Sequence, residues 1–216
     1  MKNKMFAVLG LGNFGMSVAD ELMTGGAEVL VADRNEQLIE ENASRFTQAV
    51  IADLKDADEI QQLGLGNMDA VIVCMSQDLE ASIMCVMIAK ENGVHRVIAK
   101  AKNKRISEIL KKAGADLIVF PEKESGIHTA LRLLSRDILQ LFDLTSDLII
   151  AEMMPHKKWC GKTLSELNLR AKYGINVIAF RKGDKVQEIS YNDKVIEDDE
   201  PLLVVATKEN LEKLEK

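Results

Sequence analysis

Aromatic side chains make up only 4% of this 216-residue sequence, with one Trp, two Tyr and six Phe. Met and Leu are then expected to fill much of the core, and the ten Met read as packing material rather than as a ligand surface. Cysteine is also sparse. Cys74, Cys85 and Cys160 are odd in number, widely spaced and mostly set among apolar neighbours, which excludes a disulfide framework, fits a reducing compartment and gives no metal-ligand spacing. Basic charge is in deficit, 28 Lys and Arg against 34 Asp and Glu, so a general nucleic-acid binder, which needs clustered Lys and Arg, is not expected. No apolar run approaches the ~18 residues of a membrane helix, and Met1-Lys2-Asn3-Lys4 leads directly into a strand; a soluble cytosolic chain is expected.

The usual marks of catalysis are missing as well. His95 opens a strand, His128 lies in a long helical stretch and His156 sits in the polar loop Pro155-His156-Lys157-Lys158. Spacing gives none of them a partner acid, and each reads as a surface or packing residue. Tyr191 and Lys194 come nearest to a short-chain dehydrogenase pair, but they stand three apart where that motif needs four. No GxxxxGK[ST] phosphate loop occurs.

What is present is a glycine turn in context. Gly10-Leu11-Gly12-Asn13-Phe14-Gly15 follows the apolar run 5–9 and opens a helix. Gly10 permits the turn, Gly12 lets backbone N–H groups approach a pyrophosphate, and Gly15 lets the helix pack against the strand. A second apolar run, 28–32, ends in Asp33, an acid at the distance where a ribose hydroxyl pair would be gripped. Further strands are expected at 48–51, 70–74, 96–99 and 117–120, with helices near 14–24, 36–45, 56–63, 78–92 and 104–113. Val- and Ile-rich strands alternating with helices imply an α/β, Rossmann-like parallel sheet covered on both sides, with ligands at the carboxyl ends of the strands. Those ends are Gly10, Asp33, Ala52-Asp53, Met75-Ser76-Gln77, Lys100 and Pro121-Glu122; Asp53 and Ser76 read equally as ligand contacts or as turn and cap residues.

From Pro121 the apolar residues Ile127, Leu131, Leu134, Ile138, Leu141 and Phe142 recur at helical steps, predicting one long helix whose stripe packs on another subunit. Beyond 143–147 the pattern becomes a small α+β module: strands at 148–154, 174–180, 186–190 and 202–206, a turn at Lys182-Gly183-Asp184, and helices at 163–170 and from 208. One domain plus a small appendix suits the length.

The segments Val8-Leu9-Gly10-Leu11-Gly12-Asn13-Phe14-Gly15, Ala32-Asp33-Arg34, Ala52-Asp53, Ala99-Lys100-Ala101, Gly114-Ala115-Asp116 and Phe120-Pro121-Glu122-Lys123, followed far downstream by Leu167-Asn168-Leu169-Arg170-Ala171-Lys172-Tyr173-Gly174-Ile175-Asn176, resemble the cytosolic regulatory subunits of Trk/Ktr potassium uptake systems. The pattern is nearest to the Ktr branch and spans the chain. The resemblance implies an RCK N-domain at 1–121 that binds nucleotide, a crossover helix at 122–143 that swaps between subunits, and an RCK C-domain at 144–216 that binds ligand and dimerises. It further implies homodimers assembled into an octameric ring, held at the inner face of the cell membrane by a potassium transporter that the ring gates, and no catalysis.

For single residues, Asp33 should accept both ribose hydroxyls and repel a 2′-phosphate, which disfavours NADP and leaves ATP, ADP or NAD(H). Arg34 lies over the adenine or is a solvated helix-start charge. By the resemblance Lys100 reaches phosphates, and Glu122 helps hold Mg²⁺ or Ca²⁺ between nucleotides of paired subunits; the plainer reading of Glu122 is a first-turn helix carboxylate. Where Ktr proteins that favour ATP over ADP often carry Arg in the glycine turn, this chain has Asn13, so weaker ATP/ADP discrimination, or an ADP, AMP or NAD(H) preference, is expected. By the resemblance, Arg170, Asn176 and Ile178 match a cyclic di-AMP site of relatives; the plainer reading of Arg170 is a last-turn cation that complements the helix dipole. The alternatives are an NAD(H)-dependent oxidoreductase, disfavoured by the missing catalytic residues, and a nucleotide-sensing transcriptional regulator, for which neither terminus offers a basic helix-turn-helix.

Overall fold

The structure, a computed structural model, describes residues 4–75, 77–134, 138–145, 147–183, 185–189 and 194–214. The chain divides into two compact units, Met1–Glu124 and Ser125–Lys216.

In the first unit, β1 (Met5–Leu9), β2 (Glu28–Asp33), β3 (Gln48–Ile51), β4 (Ala70–Val73), β5 (Arg96–Lys100) and β6 (Leu117–Val119) form one sheet in the order β3-β2-β1-β4-β5-β6. All five pairings are parallel, as the two-faced Val and Ile content requires. The helices between them are α1 (Asn13–Thr24), α2 (Glu36–Asn42), α3 (Ala57–Gln62), α4 (Leu79–Glu91) and α5 (Lys104–Ala113). Strand periodicity distributes side chains to two cores. Val8, Val29, Val31 and Ile72 pack with Ala19 of α1 and Ile39 of α2. Ala7, Leu9, Leu30, Val71, Val73 and Val97 pack with Ile60 of α3, Val86 and Ile88 of α4 and Leu110 of α5. Each fully buried Val, Leu or Ile contributes about 1.5–3 kcal/mol relative to exposure, so this doubly covered sheet is the stable platform. These cores are built from Val, Ala, Leu and Ile; Met68, Met75 and Met84 only flank them, so Met fills less of the interior than composition suggests. The sheet order reverses between β1 and β4, and a crevice opens there beyond the strand carboxyl ends.

The unit boundary falls within α6 (Pro121–Leu134). The helix does not continue to 143. Residues Ile138–Asp143 form β7, antiparallel to β8 (Leu148–Met153), with Leu141 opposite Ala151 and Phe142 opposite Ile150. A short apolar run satisfies helix and strand patterns alike, and pairing with the next strand decides: Leu144 and Thr145 both donate backbone N–H to the Leu148 carbonyl and close the hairpin. Of the predicted stripe, Ile127 is 40% and Phe142 54% exposed, while Leu141 is buried.

The second unit continues with α7 (Leu164–Leu167), α8 (Leu169–Tyr173), β9 (Asn176–Lys182), β10 (Lys185–Glu188), β11 (Leu202–Thr207) and α9 (Lys208–Leu214). Its antiparallel sheet runs β10-β9-β11-β8-β7. Leu202, Val204 and Ala206 alternate inward against Trp159, Phe180 and Ile175. The expected helix at 163–170 is two short ones, because Asn168 takes a left-handed conformation, φ 44°, which Asn tolerates better than most residues. Asp184 of the expected turn and Ser190 of the expected strand lie outside the described residues, as does Tyr191 of the Tyr–Lys pair. Lys194 is engaged structurally, in an ion pair with buried Glu200 and over the Phe180 ring at 4.0 Å.

Candidate functional site

The crevice at the switch point has a volume of about 430 Å³ and is lined by Gly10, Gly12, Asp33, Arg34, Asp53 and Lys100 among others. Its floor is the glycine turn. Gly10 has φ +92°, and a Cβ there would lie 2.7 Å from the Met75 sulfur. A Cβ on Gly15 would stand 2.0 Å from the Gly10 carbonyl oxygen, so α1 sits this close to β1 only because residue 15 has none. Gly12 differs: it lines the crevice, and nothing lies within 4 Å of its Cβ position.

The helix starts around the crevice are unequal. Asn35, Asp56, Asp78 and Asn103 each cap their helix by accepting a backbone N–H. Gly12 gives α1 no side-chain cap, and no acid stands in its first turn. The positive end of α1 is therefore not compensated by a cap or by an acid of its own first turn.

Asp33 holds this arrangement. Its Oδ2 accepts the Leu11 N–H at 2.7 Å and its Oδ1 accepts the Asn35 N–H at 2.9 Å. Two of the roughly four lone-pair positions of a carboxylate are thus taken, and the others remain open to further donors. Asp53, at the end of β3, accepts the Lys55 N–H through Oδ1 at 3.1 Å, while its own N–H goes to Glu59 at 2.7 Å. Lys100, 8% exposed, forms an ion pair with Glu122 and lies 5.6 Å from the Phe14 ring centre. The Lys100 ammonium, with a backbone hydrogen bond, holds the Glu122 carboxyl below the usual carboxylate range. Arg34 and Asn13 are exposed, and Asn13 does not line the crevice. Ser76 lies outside the described residues.

Two charged residues of the crevice escaped sequence reading. Lys55 bridges Asp78 at 3.0 Å and Glu80 at 3.2 Å, tying the loop after β3 to the start of α4. The side-chain hydrogen bond from Lys55 lowers the Asp78 pKa, and its bonds to Asp78 and Glu80 raise that of Lys55. The only sequence signal was position, each lying two residues past an expected strand-end contact. Cys74 also reaches the crevice, but burial pushes its thiol up to about 12, so it stays protonated and unreactive at neutral pH.

The second group of expected residues sits in the other unit. Arg170 and Asn176 line a groove of about 320 Å³ beside α7, α8 and β9. Ile178 does not line it; it stands where the pairing of β9 with its neighbouring strand is irregular and is 41% exposed. Among the described residues there is no group of three or more His, Cys, Asp or Glu placed to hold a metal. Glu122 is one carboxylate already neutralised by an ammonium, which does not fit a hard dication within this chain.

Comparison with known proteins matches residues 6–121 to the TrkA-N domain family and 148–216 to the TrkA-C domain family. The Ktr system potassium uptake protein C of Bacillus subtilis (strain 168) is 36% identical over 213 residues, covering 99% of this chain and 96% of its own length. The chain belongs to the Ktr/Trk family of potassium uptake regulatory proteins. Another Ktr-family relative, the Ktr system potassium uptake protein A of Vibrio alginolyticus, is 34% identical over 97% of this chain and 95% of its own. Among solved structures, the GsuK RCK domain superposes with a TM-score of 0.63 at 19% identity, covering the whole of this Ktr/Trk chain. This chain spans about half, 47%, of that chain's length, and 39% of the GsuK channel bound to NAD, which superposes equally well. The fold is thus that of RCK domains. Among the described residues no helix is long and apolar enough to cross a membrane.

Proposed function

We propose that this protein is a cytoplasmic nucleotide-sensing subunit that gates a membrane potassium transporter. The observation that carries the reading is the uncapped α1 N-terminus over Gly12, facing a crevice in which Asp33 is already fixed by two backbone N–H groups. The relatives at 34–36% identity are potassium uptake proteins, which supports reading the bound nucleotide as a signal rather than a reagent. Diphosphate sits on the helix start, Asp33 takes the ribose hydroxyls, Lys100 reaches the phosphates, and Asp53 and Arg34 border the adenine end.

ATP, ADP and NAD(H) share these contacts. The GsuK channel, of the same fold, is known bound to NAD. With Asn13 in place of a cation, a third phosphate finds no charged partner in the turn, and ADP or NAD(H) is preferred or only weakly disfavoured. A divalent cation at Glu122 requires the nucleotide's phosphates and a second copy of the chain. Residues 1–121 form the sensing domain, and 144–216 the domain that dimerises. The groove at Arg170 and Asn176, with Ile178 on its flank, suits the phosphates and adenine faces of cyclic di-AMP. Ile127 and Leu133 of α6, 40% and 82% exposed, are where a second copy packs on the way to an octameric ring.

Light scattering combined with calorimetry on the full chain tests this. Eight subunits and saturable binding of ADP and NAD, lost in Asp33→Ala, are expected. A dimer that oxidises or reduces a substrate with bound nicotinamide overturns the reading.

A further inference from the structure

A cleft of about 660 Å³ in the second unit is used neither by the glycine turn nor by the Arg170 groove. Its formation follows from the local sequence. After β8, residues 157–161 form a tight turn in which the Trp159 N–H is donated to the His156 carbonyl at 2.8 Å. Trp159 points into the core and is 4% exposed, which turns Lys157 and Lys158 outward. The His156 ring packs edge-on to Trp159, centroids 4.7 Å apart, and Tyr173 lies at 6.0 Å from the same indole with 41% of its surface exposed. The cleft is thus walled by aromatic rings and rimmed by two lysines, neither of which makes an ion pair among the described residues; Asp198 is the one carboxylate in the lining.

Two lysine cations left without carboxylate partners beside an exposed aromatic face favour a ligand that supplies both missing interactions. Stacking on Tyr173 needs a planar ring, and the ammonium groups need an anion. A volume of this size holds one small molecule rather than a peptide strand. We propose that this cleft is a binding site for a small ring-bearing anion, an aryl or nucleoside monophosphate in chemical class, independent of the glycine-turn site.

The chain carries a single Trp, and it stands in this cleft, so intrinsic fluorescence excited at the indole reports occupancy directly. The full chain is titrated with phenyl phosphate, with inorganic phosphate and with phenol. Saturable change of Trp159 fluorescence by phenyl phosphate is expected, with either half-molecule binding about tenfold more weakly or worse. The double variant Lys157→Glu, Lys158→Glu should lose the phenyl phosphate response while keeping ADP binding by calorimetry. Tyr173→Ala should weaken phenyl phosphate and leave inorganic phosphate unchanged. Absence of saturation overturns the proposal. So does a response that survives the lysine reversals but disappears in Asp33→Ala, since the signal would then arise at the glycine turn. Loss of ADP binding with the phenyl phosphate response intact counts against the proposed function alone.

Discussion

Two glycines of one turn, three residues apart, should respond to the same substitution in opposite ways. In Gly15→Ala the new methyl would stand 2.0 Å from the Gly10 carbonyl oxygen and 3.3 Å from the Cys74 Cβ, and the first of these is backbone that cannot rotate aside. Relief requires α1 to withdraw from β1 by about 1 Å, which opens the packing of Ala19 against Val8 and costs about 3 kcal/mol, at the upper end for overpacking. A melting temperature lowered by roughly 10 °C follows. In Gly12→Ala the methyl meets nothing within 4 Å, and φ −65° suits any residue. Alanine is a poorer N-cap than glycine by up to about 1 kcal/mol, but it stiffens the unfolded chain by about as much, so stability should change little. On the proposed reading nucleotide binding should nonetheless fall about tenfold or more, because the methyl would fill space that a phosphate needs to reach the helix start. Differential scanning fluorimetry and calorimetry with ADP read both effects. Undiminished ADP binding in Gly12→Ala would refute the placement of phosphate at this turn, and an unchanged melting temperature in Gly15→Ala would refute the tight helix contact.

Asn13→Arg places a guanidinium at the first residue of α1 and should raise the preference for ATP over ADP about tenfold, the worth of one charge-assisted hydrogen bond; equal affinities in the variant would contradict the role given to position 13. The Glu122 pKa is lowered by Lys100, so the stabilisation it brings is complete above the ordinary carboxylate pKa and lost as pH falls through its lowered folded value. Melting curves of the wild type and Glu122→Gln should therefore differ slightly near neutrality, since the carboxylate is 68% exposed, and converge in acid; a gap that widens in acid reverses the sign and rejects the pairing. Burial pushes the Cys74 and Cys85 thiols up to about 12, whereas Cys160 is half-buried, so iodoacetamide at neutral pH should add once per chain, at Cys160, before denaturant exposes the others. Early adducts on Cys74, read by mass spectrometry, would show that the crevice opens more widely than its packing implies.

Legibility in the sequence tracked how local the deciding interaction is. Glycine spacing, Val- and Ile-rich strands and Asp33 at the end of β2 are set within about thirty residues, and the sheet order and crevice follow from them. The run 138–143 was illegible because its apolar residues fit a helix stripe, and only the hairpin with Leu148–Met153 selects the strand. Lys55 and Asp78 were missed for the same reason: alone, each is an ordinary loop or cap charge, and only folding brings them within 3.0 Å. This has a chemical consequence for the crevice. Its two lysines arrive already engaged, Lys55 with Asp78 and Glu80, Lys100 with Glu122. On the proposed reading a phosphate recruits Lys100 in competition with a carboxylate, which removes up to about 1 kcal/mol of the attraction an unpaired lysine would give. Asp33, by contrast, keeps its remaining lone pairs while its bond to Leu11 holds the turn in place. The ribose contact is thus the preorganised part of the site, and affinity should depend more steeply on Asp33 than on Lys100.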